Sequence, residues 1–385
     1  MKRQLFILLL AISSVYVQGI TITHGPYLCD MTTDGVTVVW TTDLQGPAWV
    51  ETENTVTAEK ADYYEVVAGN IVAIATLHRV RINNLKPGTK YNYRIFTKEI
   101  GLDLATLSVN YGETVASNDF SHNPLSFTTF SKDKKDISFV VLNDIHSRTD
   151  FMKELCNEVD FKALDFVCFN GDMWEWLLDE NMIFDGCMDA AVEMFASEIP
   201  IVFNRGNHET RGPYAIPLIN YFPTVNGTFY YQFGIGDVCF LVLDGGEDKE
   251  DSHPEYFNLA AFDSYREEES RWLEQNVVCP EFQNAKARIV FLHIPPMVST
   301  GHGSLHLQKT LIPILNHAKI DVILSGHTHS YIYREADATS NFPTVVNSNK
   351  TYMLCTIKDG QIRVEMKGQN PLANHTHEFQ IKNRK

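Results

Sequence analysis

A chain of 385 residues with 44% apolar content is long enough to bury more than one core and too rich in large apolar side chains to be disordered. Its 32 basic residues against 48 acidic ones leave a formal charge of −16, which argues against nucleic-acid polymers and anionic membranes as general partners. Seven cysteines, an odd number with no Cys-x-x-Cys pair, exclude a dense disulfide framework and a structural zinc site. One disulfide among Cys156, Cys187, Cys279 and Cys355 stays open.

At the amino end, Lys2 and Arg3 precede an apolar run from Leu5 to Ile12 and a polar stretch ending Val17-Gln18-Gly19. That three-part pattern is expected of a secretory signal peptide over residues 1–19. The run is too short to span a bilayer, and no later stretch is long enough. An exported protein, periplasmic or extracellular, is expected, with 30 basic against 48 acidic residues, a formal −18, after cleavage. From residue 20 to 131 short alternating runs recur: Gly35 to Thr41, Leu77 to Ile82 and Tyr91 to Phe96. Such spacing predicts an all-β sandwich. Within it, Leu85-Lys86-Pro87-Gly88-Thr89-Lys90-Tyr91-Asn92-Tyr93 resembles the turn and following strand of fibronectin type III domains. The charged stretch Ser131 to Asp136 is read as the boundary of this unit.

From 136 to 370, apolar strands alternate with helix-like segments, predicting an α/β domain. Strands are expected at Ile137 to Leu142, Phe166 to Phe169, Ile201 to Phe203, Ile289 to Leu292 and Val322 to Leu324. Each is a continuous apolar run, as parallel strands covered on both faces should be. Helical spacing is seen over Phe151 to Leu164, Met188 to Ser197, Glu267 to Val277 and Leu305 to His317. Asp359-Gly360, between Tyr352 to Ile357 and Gln361 to Met366, signals a hairpin. Residues 371–385 read as a C-terminal tail.

Each of the five strands ends in a polar cluster: Asn143-Asp144-Ile145-His146, Gly171-Asp172, Gly206-Asn207-His208-Glu209, His293, and Gly326-His327-Thr328-His329. In open α/β sheets ligands gather beyond the carboxyl ends of strands. Mixed Asp, Asn and His donors suit divalent iron, manganese or zinc. Asp144, His146 and His329 are expected on one ion, Asn207, His293 and His327 on a second, with Asp172 bridging. Any one cluster is weak evidence, but the ordered set is not.

That ordered set resembles the calcineurin-like metallophosphoesterase superfamily over about Asp136 to Met366, and the preceding sandwich looks like the amino-terminal domain of purple acid phosphatases, as in bacterial exported relatives of that branch. The resemblance implies a four-layer α/β/β/α catalytic fold, two divalent ions and hydrolysis of a small phosphoester by a metal-bridging hydroxide. It implies His208 as the acid that protonates the leaving group, oriented by Glu175. Arg211 and His302 are candidate phosphate contacts. Arg205 is read as an ion-pair partner and Glu209 as a support for the metal loop; Trp174 and Trp176 are either pocket lining or core. Purple acid phosphatases carry a tyrosine ligand three positions after the bridging aspartate and lack the histidine of the first cluster. Here Glu175 takes that place and His146 is present, which disfavours an iron–tyrosinate centre. The leading expectation is an exported phosphomonoesterase; a phosphodiesterase of the same fold and a non-catalytic binding protein are the alternatives. The oligomeric state is not read from the sequence.

Overall fold

The computed structural model describes residues 19–118 and 123–384, so the expected signal peptide lies outside the described residues except for Gly19. A nine-stranded sheet has the spatial order His375–Gln380, Gln361–Lys367, Tyr352–Lys358, Ile137–Leu142, Phe166–Asn170, Ile201–Asn204, Ile22–Cys29, Val36–Thr42 and Leu77–Ile82. Its strands at 137–142, 166–170 and 201–204 run parallel. A six-stranded sheet has the order Tyr231–Ile235, Val238–Leu243, Ala287–Leu292, Val322–Ser325, Thr344–Val346 and Ile332–Arg334, with its four inner strands parallel.

Side chains alternate along a strand, and here both faces are covered, which accounts for the uninterrupted apolar runs. Ile137, Phe139 and Val141 join the core between the two sheets, while Val140 and Leu142 turn to a second core against the helical segments at 149–155 and 180–196. Val238, Phe240 and Val242 enter the shared core from the other sheet. Cys239, Leu241 and Leu243 turn to a third core that includes residues of helices Phe262–Asn276, Pro280–Asn284, His302–Thr310 and Ile312–Ala318. Phe139 stacks on Phe166 at 4.7 Å between ring centres and meets Phe240 edge-on at 5.5 Å, both favourable aromatic arrangements.

The helix expected from Met188 begins earlier, at Glu180, where Asp179 accepts the Met182 N–H at 3.1 Å, and it passes through π-type turns at 184–188 and 192–196. The single helix expected over Leu305 to His317 is two, broken near Leu311, with Pro313 in the first turn of the second. The Asp359-Gly360 turn has φ of 51° and 78°, the left-handed pair that a tight two-residue hairpin requires, and Lys358 pairs with Gln361.

Within residues 20–131 a second sheet, ordered Leu125–Thr128, Lys90–Asp103, Ala48–Asn54 and Lys60–Tyr64, faces the strands at 22–29, 36–42 and 77–82. Trp40 Nε1 donates across the gap to Thr97 Oγ1 at 3.0 Å. The facing layer is not closed off from the rest of the chain. Cys29 pairs in parallel with Ile201, so these three strands continue the nine-stranded sheet past Ser131 to Asp136. Residues 371–385, read as a C-terminal tail, contain the strand at 375–380 that forms the edge of that sheet. Beyond it, Lys382 N–H donates to Asp321 Oδ1 at 3.0 Å and Arg384 Nη2 to Asp321 Oδ2 at 2.6 Å. All seven cysteines are free thiols, six of them buried. No helix among the described residues is long and apolar enough to cross a membrane.

Candidate metal centre

The polar clusters leave their strands at the carboxyl ends, and the turns there are abrupt. Asp144, His146, Asp172, His327 and His329 have φ of 54°, 51°, 55°, 72° and 56°. A left-handed backbone costs an L-residue about 1–2 kcal/mol, so each needs support. Asp144 N–H donates to the Gly171 carbonyl and His146 N–H to the Asp172 carbonyl, both at 3.0 Å. At Gly171, φ is 86° and a Cβ would stand 2.4 Å from the His293 ring, so the close approach of these two loops depends on glycine.

Two foci result. Candidate ligand atoms of Asp144, His146 and His329 lie within 4.8 Å of one another, as do those of Asp172, His293 and His327; Asp172 also groups with His146 and His208, which places it between the foci. In the first, His146 Nε2 and His329 Nε2 face each other at 3.0 Å, and Asp144 Oδ1 is 3.3 Å from His329 Nε2. In the second, His293 Nε2 is 3.0 Å from Asp172 Oδ2 and His327 Nδ1 is 2.9 Å from Asn207 Oδ1. His293 Nδ1 is 2.8 Å from the Asn170 carbonyl; donation there turns Nε2 toward the second focus. Asp144 Oδ1 and His293 Nε2 are buried polar atoms, and each lies against another candidate ligand, His329 Nε2 at 3.3 Å and Asp172 Oδ2 at 3.0 Å. Such atoms are costly unless satisfied, and imidazole and carboxylate donors converging on two points fit a pair of divalent cations.

Electrostatics point the same way. Burial works against a charged His293, but the Asp172 carboxylate beside it, by charge and hydrogen bond, brings it up to about 10. Asp172 is opposed by its own burial, yet the same contact holds it well below the usual carboxylate range. The site thus favours positive charge at its centre. Burial lowers His146 and His327, whereas the contact with Asp144 raises His329.

Glu209 fixes the frame. Its buried carboxylate accepts the N–H groups of Asp172 at 2.9 Å, Met173 at 2.6 Å, Trp174 at 3.2 Å and Gly206 at 2.8 Å, tying two ligand loops together. Burial, then the charge of Asp172, pushes it up to about 7.

The remaining expected residues divide. His208 lies at the centre, its backbone N–H donating to Asp172 Oδ1 at 2.9 Å. The Glu175 carboxylate does not face His208 alone: it lies 2.9 Å from His146 Nδ1 and 3.8 Å from His208 Nδ1, and the His208 ring meets the Glu175 main-chain carbonyl at 3.0 Å. Arg211 is not a free clamp either. Nε donates to Glu247 Oε1 at 2.9 Å and Nη2 to Oε2 at 3.2 Å, leaving Nη1 3.2 Å from His208 Nε2. His302 is not brought to the foci. As first residue of its helix it meets Asp263 of the neighbouring helix at 2.8 Å. Arg205 pairs with Asp244 at 2.6 Å, as expected. Trp174 is core, its Nε1 donating to the Ile183 carbonyl at 3.0 Å, while Trp176 is 45% exposed. Tyr331 and Tyr333 stack on His375 and His377.

Glu247 was missed, although Asp244-Gly245-Gly246-Glu247 follows the Val238–Leu243 strand as the other clusters follow theirs. Also missed were the buried asparagines that link strand ends. Asn204 donates to Asn170 at 2.6 Å and Asn347 to Asn143 at 2.8 Å.

A family model described as calcineurin-like phosphoesterase matches residues 137–331, half of the chain. Human serine/threonine-protein phosphatase CPPED1 is 28% identical over 159 residues, 39% of this chain and 47% of that protein. The chain thus spans about half the length of that relative. Among solved structures, purple acid phosphatase PPD1 from yellow lupin seeds superposes with a TM-score of 0.59 at 15% identity, covering 89% of this chain and 71% of that one. The structure of PhoD gives 0.57 at 13% identity, covering 94% and 88%. Both likenesses are of fold.

Proposed function

Because the chain belongs to the calcineurin-like phosphoesterase family, we propose that it is an exported, periplasmic or extracellular phosphatase that hydrolyses small phosphomonoesters with two divalent ions, iron, manganese or zinc. The observation that carries this reading is the convergence of the Asp144–His146–His329 and Asp172–His293–His327 groups on adjoining foci, with Asp144 Oδ1 and His293 Nε2 buried against other candidate ligands. We read the three apolar cores as the seams of an α/β/β/α arrangement, which puts both sheets' carboxyl ends at one site.

In this reading Asp144, His146 and His329 hold one ion, Asn207, His293 and His327 the other, and Asp172 both. Bound there, the ions supply Lewis acidity toward a phosphoryl oxygen and an acidified water. The rest falls to this chain's own groups. His208 carries a proton to the departing alkoxide from Nε2, its Nδ1 held by the Glu175 carbonyl. Arg211 Nη1, the part of the guanidinium that Glu247 does not engage, offers a donor to a phosphate oxygen beside His208. Three positions after Asp172 stands Glu175 and not a tyrosine, which favours two divalent ions over a ferric–phenolate pair.

The test is reconstitution of metal-stripped protein with manganese, zinc or ferrous iron and assay on aryl phosphate monoesters and diesters. Metal-dependent turnover of monoesters over diesters is expected. Preference for diesters would move the reading to a phosphodiesterase, and no turnover with two ions bound would leave a binding protein.

A further inference from the structure

An exposed apolar rim adjoins the proposed catalytic groups. Glu175 touches the site twice, through its carboxylate at 2.9 Å from His146 Nδ1 and its carbonyl at 3.0 Å from His208 Nδ1. That carbonyl belongs to the peptide bond joining Glu175 to Trp176. Trp176 therefore follows directly on the residue whose carbonyl holds His208, the group assigned to protonate the leaving group, and is 45% exposed. The loop that bears it is fixed. Leu177 is buried, its N–H donates to the Arg211 carbonyl at 3.1 Å, and its carbonyl accepts the Tyr214 N–H at 3.0 Å. Gly212, with φ of 98°, permits this contact, since a Cβ there would stand 2.3 Å from the Leu177 carbonyl oxygen. With Leu177 anchored inward, its neighbours Trp176 and Leu178 stay on the surface, Leu178 at 52% exposure, and Ile216 on the paired loop is 86% exposed.

Three exposed large apolar side chains thus lie on two cross-linked loops, one of which carries Glu175 and the other Arg211. The metal foci and Arg211 account for a phosphoryl group, but nothing in them selects the alcohol that it leaves. Resting on the phosphomonoesterase reading, we propose that Trp176, with Leu178 and Ile216 on the same pair of loops, receives the leaving group of the substrate and selects a flat, apolar alcohol, so that aryl phosphomonoesters are preferred to polar alkyl ones. An indole face offers a flat ring broad dispersion contact and offers a polyol little. Contact of this kind is made in ground and transition states alike, so it acts mainly on KM.

The experiment compares 1-naphthyl phosphate with glycerol 2-phosphate on the metal-reconstituted full chain, in the wild type, Trp176→Ala and Trp176→Phe, with metal content and molecular mass measured for each. Trp176→Ala should lower kcat/KM for 1-naphthyl phosphate by roughly tenfold or more, through KM, and leave glycerol 2-phosphate within about twofold. Trp176→Phe should restore most of the loss. Equal losses on both esters would make Trp176 a structural residue, and unchanged kinetics would remove it from the substrate path. A concentration-dependent dimer abolished by Trp176→Ala would assign the rim to a second copy of the chain; any of these three results overturns the proposal. A wild type inactive on both esters with two ions bound would instead overturn the phosphatase reading on which it rests.

Discussion

At the scale of single residues, Glu175 shows how one position can serve a site by its backbone. The carbonyl that meets His208 Nδ1 at 3.0 Å survives any substitution, whereas the carboxylate faces His146. Glu175→Ala should therefore leave the dependence of rate on leaving-group basicity unchanged. His208→Ala should spare metal content yet slow esters of basic alcohols by about 10²–10⁴-fold, with far less effect on good leaving groups. Rates over a series of substituted phenyl and alkyl phosphates decide the matter: a steeper dependence in Glu175→Ala would return the orienting role to the carboxylate. Asp172 is the residue placed between the foci, and among the described residues no other carboxylate is grouped with both His146 and His293. Asp172→Ala should lose both ions or retain them only in inactive protein. Metal analysis of the purified variant showing two tightly held ions and near-normal turnover would exclude the bridging role.

At the scale of elements, the parallel strands and their terminal clusters were legible because burial of both faces writes continuous apolar runs, and the ligand loops interrupt those runs sharply. Strand 77–82 was legible in its alternation. Its placement was not, since the nine-stranded sheet is joined there by a parallel pairing of Cys29 with Ile201, a contact remote in sequence that leaves no local period. The edge strand His375–Gln380 escaped because its sequence is mostly polar and every second residue is exposed. Glu175 was legible as a neighbour of His208, but its nearer contact through the carbonyl was not, because spacing carries no information on whether a carbonyl or a carboxylate arrives first. The joined strands make a testable demand on pH. His78, opposite Trp40 and 2.9 Å from Thr42 Oγ1, is pushed by burial down to about 4 from an ordinary 6.5. The unfolded chain takes up that proton first as pH falls, so the stability from the neutral ring is full above 6.5 and lost toward 4, by roughly 3 kcal/mol. Asp30, raised to about 6 chiefly by burial, acts in the opposite direction over part of this range. The difference between wild type and His78→Gln is thus the informative quantity. In urea unfolding at pH 7, 5.5 and 4, it should shift with falling pH in favour of the variant, and a constant difference would show that His78 is not neutral in the folded state.

At the scale of the molecule, the question is whether residues 20–131 form a unit that can unfold alone. Linked domains commonly meet over modest, partly polar interfaces and melt separately. Here Leu28, Trp40, Tyr93 and Phe127 lie in the same apolar cluster as Phe139, Phe166, Phe240 and Phe291. Polar fasteners run to the segment around residues 197–221: Tyr27 Oη donates to the Tyr221 carbonyl at 2.8 Å, Tyr93 Oη to the Ser197 carbonyl at 2.6 Å, and Ser126 Oγ to Glu198 at 2.8 Å. Melting the amino-terminal strands would expose the strand edge at Ile201, a few residues before Asn207 and His208, and open one side of the core that holds the two sheets together. Unfolding should therefore be concerted. Tryptophan fluorescence, reporting in part from Trp40 and Trp49, far-ultraviolet dichroism and release of bound metal should share one denaturant midpoint, and a chain begun at Lys132 should be insoluble or unable to retain metal. Two resolved transitions, with metal kept through the first, would show that the shared sheet is a contact between separately stable units.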